Sequence, residues 1–180
     1  GLAGLAALDA KASTRQRLAA AVYCVVPTWF LAVPAVECVA AYLRRAAEFP
    51  VLADFSRGDD RYFIETVQSL IERDELPERW SNVPGEYALR VMFMGGPYAG
   101  VDFVEPMADW TAHREMAVDL LNPSSESLSI VLRVHDTRHD HRYEDRYNRT
   151  FVLAPEERTT LAIPLEEIRR GPRDRYLDMT

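Results

Sequence analysis

Between Leu18 and Leu43 the chain carries a single charge, Glu37, within the run LAAAVYCVVPTWFLAVPAVECVAAYL. No other feature restricts the fold as strongly. Crossing a hydrocarbon core of ~30 Å takes about 20 apolar residues, and this run supplies them. Lys11, Arg15 and Arg17 precede it, and Arg44 and Arg45 follow it. Tyr42 stands where an interfacial aromatic would stand. Residues 18–45 therefore read as a transmembrane or anchoring helix that meets the membrane through residues 18–43, with residues 1–17 as its flanking segment. Two features keep a buried core helix, or two short helices, open as alternatives. Pro27 and Pro34 remove backbone donors and kink a helix, which membrane helices tolerate better than soluble ones. Glu37 would cost about 2.5–3.5 kcal/mol at a bilayer centre, and less near its edge. A cleaved signal fits less well, because the run is too long and no small-x-small site closes it.

The heavier positive flank lies before the run, which places the start of the helix in the cytoplasm and the C-terminal domain on the extracytoplasmic side. Gly1-Leu2 is not a natural start, so further sequence is expected upstream. Both cysteines, Cys24 and Cys38, fall inside the apolar run. At about 1.5 Å per residue along a helix they are too far apart to join as a disulfide. They read as small hydrophobes, and a thiol nucleophile is not expected.

Composition changes near Phe49-Pro50. The net charge of -7 excludes nucleic acid as the natural partner, because phosphate neutralisation needs clustered Lys and Arg. Tyr62–Arg73 has apolar residues at 63, 64, 67, 70 and 71, a spacing that predicts a short helix. Short alternating runs follow: Tyr87–Met94, Val101–Val104, Glu115–Leu121, Leu128–Val134, Thr150–Leu153 and Thr159–Ile163. Turn residues such as Gly95-Gly96-Pro97 and Asn122-Pro123 separate them. LEEIRR after Pro164 predicts a last helical turn. Several short strands without interleaved helices predict an all-β fold, an antiparallel sandwich over residues 50–180. Period-two spacing points Val91, Phe93, Val118, Leu120, Ile130, Leu132, Val134, Leu161 and Ile163 inward.

Tyr98-x-Gly100-Val101, Asp109-Trp110, Val118-Asp119 and Asn122-Pro123 occur in that order. They are followed by Leu132-Arg133-Val134-His135-Asp136, Asp145-Arg146-Tyr147-Asn148, Ile163-Pro164-Leu165 and Arg175-Tyr176-Leu177-Asp178. This ordered set resembles the galactose-binding-like, jelly-roll superfamily of carbohydrate-binding modules, of the kind found behind the membrane helices of bacterial VanZ-like proteins. The resemblance covers about Phe49 to Thr180. It implies a jelly-roll β-sandwich that binds a glycan or cell-envelope component and is not an enzyme. It also implies a further strand beyond Thr180. A structural calcium ion belongs to some such domains, but this sequence alone does not support one, and no other cofactor is implied.

Leu132–Phe151 holds three of the four histidines in a dense mixture of charge and aromatics. Within it HDTRHDH, His135–His141, reads as a solvated hairpin loop between strands, with His139 in water. HDTRHDH is similar to a metallo-hydrolase string, but its spacing departs from H-x-H-x-D-H. A metal-dependent hydrolase using His135–His141 is the least favoured reading, and no metal site is assigned. Asp145-Arg146-Tyr147-Asn148 reads first as structural buttressing across a turn. Sugar recognition stacks an aromatic on a pyranose ring and brackets it with Arg and Asp. The loops Gly95–Gly100 and His135–Asn148 offer Tyr98, Asp136, Arg138, Tyr143 and Arg146 as ligand-binding candidates. Trp110, ahead of an apolar strand, reads as core. A protein-interaction domain of the same fold, without a sugar site, is the main alternative.

The apolar run generates one expectation independent of the rest. The full chain should stay with membranes through carbonate extraction. Val33→Arg, in the middle of the run, should impair insertion by about 2.5–3.5 kcal/mol. Recovery of the unmodified chain in the soluble fraction would overturn the membrane reading.

Overall fold

The structure is a computed structural model and describes residues 13–106 and 109–180. Most of residues 1–17, the expected flanking segment, lies outside the described residues. Chain contacts divide the molecule into two compact units: residues 1–72 with 91–104, and residues 73–90 with 105–180.

Helix α1 spans Thr14–Glu48. It opens on a capping box, in which the Ser13 hydroxyl accepts from the Gln16 amide and the Gln16 side chain accepts from the Ser13 amide. Pro27 and Pro34 lie inside one continuous helix, so the alternative of two short helices does not hold. A buried core helix does not hold either. Val22–Glu48 is long and apolar enough to cross a membrane, yet almost none of it is buried. Tyr23, Trp29, Phe30 and Leu31 are each at least two-thirds exposed.

Among the described residues, only the last turns of α1 pack against protein. A 3₁₀ turn, Gly58–Phe63, lies against them and buries Ala41, Arg45 and Phe63. Tyr42 meets the Phe63 ring edge-on at 5.0 Å, and the Arg45 guanidinium lies 4.9 Å from its centre. The helix expected over Tyr62–Arg73 is instead two strands, β1 (Ile64–Val67) and β2 (Ser69–Glu75). Gln68 between them has a positive φ of 47°. That residue shifts the phase of the strand, so the inward positions run 64, then 69 and 71. Read along the sequence, the shift imitates helical spacing, while β-branched Ile64, Thr66, Val67 and Ile71 favour the extended chain. Strand β1 pairs antiparallel with β4 (Gly100–Phe103), and β2 pairs with β3 (Tyr87–Phe93). Phe93, expected inward, is 48% exposed, whereas Val91 is half-buried.

In the second unit β5 (Glu115–Asn122) pairs antiparallel with β8 (Glu157–Pro164), and β6 (Leu128–Val134) pairs antiparallel with β7 (Tyr147–Leu153). The pairing is nested: the β6–β7 ladder lies in sequence inside the β5–β8 ladder. Burial alternates as expected, with residues 116, 118 and 120 inward on β5 and 128, 130, 132 and 134 inward on β6. The sheets are two-stranded and do not close into a barrel.

The expected last helical turn is α2 (Leu165–Arg169). It inserts Leu165 and Ile168 beside Ile163, Tyr147 and Leu177. Trp110, Met116, Leu132, Val134, Phe151 and Met179 surround this core. Gly171 follows because a Cβ there would come within 2.5 Å of the Tyr147 backbone and side chain. Asn122 is fully buried and knits two turns together. Its amide donates to the carbonyls of Glu126 and Ala154 at 2.8 and 3.0 Å, and its oxygen accepts from the Ser124 hydroxyl at 2.8 Å.

Ile163 is 0% exposed and Val152 on the neighbouring ladder is 70% exposed. Ile163→Ala should cost about 3 kcal/mol through lost burial and a residual cavity. Val152→Ala should stay within about 0.5 kcal/mol. Denaturant titration of the full chain in detergent compares them; equal effects would place the core elsewhere.

Candidate functional site

The loop between β6 and β7 carries the dense polar stretch. Its ends are pinned where Val134 pairs with Tyr147. Between them Arg175, from the segment after α2, forms a two-sided clamp. Its Nη1 and Nη2 donate to the Asp136 carboxylate at 2.6 and 2.9 Å, and its Nε and Nη2 donate to Asp145 at 2.5 and 3.1 Å. The side chains of Asp136 and Asp145 are only 8% and 12% exposed. Asp136 also accepts from the amides of Arg138 and Asp178, and Asp145 accepts from the amide of Asp140. A planar guanidinium suits this geometry because it forks to two carboxylates at once.

Burial alone would raise the Asp136 carboxyl. The Arg175 fork and the two backbone donors outweigh it and hold the group down at about 2. Hydrogen bonds from Arg175 and the Asp140 amide hold Asp145 lower still, and the two carboxylates raise Arg175 in return.

His139, expected in water, has a side chain only 7% exposed. Its Nδ1 lies 3.0 Å from the Asp145 carbonyl oxygen. His135 stacks on it with ring centres 4.7 Å apart, and His141 meets it edge-on at 5.6 Å. His141 has a positive φ of 68°, the left-handed turn that brings the loop back on itself. The imidazoles are packing elements of the loop as well as polar groups.

Ligand atoms of His139, Asp140 and Asp145 come within 4.8 Å of one another. They are already engaged. Arg175 and a backbone amide take Asp145, the Arg142 amide and side chain take Asp140, and the Asp145 carbonyl takes His139. Calcium needs about six to eight oxygen ligands. The carboxylates here are spent on guanidinium and amide donors, so the residues do not fit that ion.

A hollow of about 240 Å³ opens beside the clamp, lined by Arg138, Asp140, Arg142, Glu144, Asp145, Asp174 and Arg175. Of the five expected ligand residues, Arg138 lines it, with its guanidinium also 2.8 Å from Asp178. Tyr143, next to Glu144, is 62% exposed. Asp136 is committed to the clamp and is not free for a ligand. Arg146 does not pair with Asp145. Its Nε donates to Asn148 at 2.9 Å, and its guanidinium lies 5.6 Å from the Tyr143 ring centre. Tyr98, 64% exposed, belongs to the first unit, whereas the other four belong to the second. In this stretch the cation bonded to Asp145 is therefore Arg175, from outside the loop. Arg175 and Asp174 were missed as site residues, although Arg175-Tyr176-Leu177-Asp178 was visible as a motif.

No protein-family model matches the chain, and neither a curated protein nor a solved structure matches it.

The clamp predicts a specific acid sensitivity. A carboxyl depressed in the folded state contributes stability that is present above its unfolded value, near ~3.9, and lost as pH falls through the folded value. For Asp136 that window runs from about pH 4 down to about 2. Arg175→Leu should lower the melting temperature at pH 7 and flatten the pH dependence across that window. An unchanged acid profile, followed by near-ultraviolet circular dichroism, would remove the clamp from the account of stability.

Proposed function

We propose that this chain is a membrane-tethered, non-catalytic module that binds a glycan or cell-envelope component, with the hollow beside the Arg175 clamp as its site. The observation that carries this reading is the hollow itself: a polar recess lined by three arginines and four carboxylates, one of which, Glu144, follows exposed Tyr143 in the sequence. Sugar hydroxyls both donate and accept, so they match a lining that holds donors and acceptors side by side. A tyrosine face supplies the apolar contact that a pyranose ring needs. The clamp supports the site by fixing the loop in advance, which lowers the ordering cost of binding.

The jelly-roll reading fits the nested pairing of β5 with β8 around β6 with β7, the pattern of a long hairpin folded over on itself. Exposed apolar helix α1 supports the tether, and three flanking cations before the run (Lys11, Arg15, Arg17) against two after it (Arg44, Arg45) support an extracytoplasmic β-domain. A protein-interaction domain of the same fold is the second reading. It is favoured by the way Arg138, Arg142 and Arg175 are each already paired with a carboxylate.

A glycan array probed with the full chain in detergent tests the proposal. Tyr143→Ala and Arg138→Ala should each weaken binding about tenfold, about 1.4 kcal/mol, with the melting temperature kept. No glycan bound, or binding indifferent to both substitutions, would reject the sugar site and move the interaction reading ahead.

A further inference from the structure

We infer that the bilayer's hydrocarbon core meets α1 only from Leu18 to Val36, and that its last turns, from Glu37 on, stand outside as a platform for the first unit. This rests on the membrane tether proposed above and places its boundary.

The residues between Arg17 and Glu37 are all uncharged. At about 1.5 Å per residue they span about 28 Å, close to a hydrocarbon core of ~30 Å. From Glu37 onward the helix is tied to charged protein. The Glu37 carboxylate accepts from the Tyr62 hydroxyl at 3.1 Å and from Arg61 at 3.4 Å. Arg44 pairs with Asp59, and Arg57 pairs with Glu48 at 2.7 Å. The side chains of Arg61 and Arg57 remain 66% and 57% exposed.

Sinking Tyr42 and Leu43 into lipid would drag these groups and the 3₁₀ backbone with them. Each charge would cost about 2.5–3.5 kcal/mol at depth, and lipid-exposed irregular backbone has no donors or acceptors to satisfy it. Before Glu37 the side chains have the opposite character: Trp29, Phe30, Leu31 and Val36 are exposed and apolar. The partner of this surface is the acyl region of a bilayer. Arg61 and Tyr62 then lie at headgroup level, where a guanidinium and a phenol keep their polar ends wet.

The two native cysteines straddle the proposed boundary. Cys24 lies inside the span and Cys38 one residue beyond Glu37. The full-length variants Cys24→Ser and Cys38→Ser, each left with one thiol, are reconstituted in vesicles of phosphatidylcholine and phosphatidylglycerol. Labelling with a membrane-impermeant maleimide is read before and after detergent. Cys38 should label in intact vesicles, and Cys24 only after detergent. Protection of both thiols in a carbonate-resistant chain would overturn the boundary and leave the tether intact. Labelling of both in intact vesicles would remove the tether and the boundary together. Labelling of Cys24 with Cys38 protected would also overturn the boundary, because it reverses the expected order.

Discussion

The β6–β7 loop depends on one guanidinium. Arg175 reaches Asp136 at the start of the loop and Asp145 at its end, so one side chain closes a polar stretch that has almost no apolar content of its own. A buried charge without a partner is costly, and a pair of carboxylates side by side is more so. The fork solves both problems. With the carboxylates held, His139 can pack against the Asp145 carbonyl, His135 can stack on it, and the hollow keeps its walls. The same bonds tie the segment after α2 to the β6–β7 ladder, since the Asp178 amide also donates to Asp136.

Around this polar clamp the apolar core is small. Ile163 from β8, Ile168 from α2, Tyr147 from β7 and Leu177 from the last segment meet at one point. Hydrophobic burial supplies the driving force, but it is non-directional. Directional pins give the unit its register. Asn122 holds two turns, and Arg158 bridges Glu86 and Asp119 at 2.7 and 2.9 Å, which holds Glu86 down at about 2. The first unit is built on a different principle. There a long helix leaves most of its described side chains exposed, and its last turns carry the contacts with the 3₁₀ turn.

Sequence pattern was a good guide where structure repeats. The apolar run announced one long helix, and alternation placed β5, β6 and β8 with the right residues inward. Asn122-Pro123 marked a turn, and LEEIRR marked α2. Pattern reading failed at irregular backbone. Gln68 in a left-handed conformation shifted the strand phase by one residue, and Tyr62–Arg73 was read as a helix. Phe93 sits at the end of a short ladder, where alternation no longer reports burial. His139 looked solvated because its neighbours in sequence are charged, but its neighbours in space are two imidazoles and a clamped loop.

By itself, then, the sequence determined the helix, the β-character and the polar loop, because each is encoded by local period and by residues close together in the chain. The tertiary structure alone decided what that loop is. Asp145 and Arg146 are adjacent and suggested a local pair, yet Asp145 bonds to Arg175 and Arg146 to Asn148. That choice depends on where β8 and α2 deliver the segment that carries Arg175. A charge finds its partner by distance and orientation in the folded chain, and neither is a property of the residues next to it.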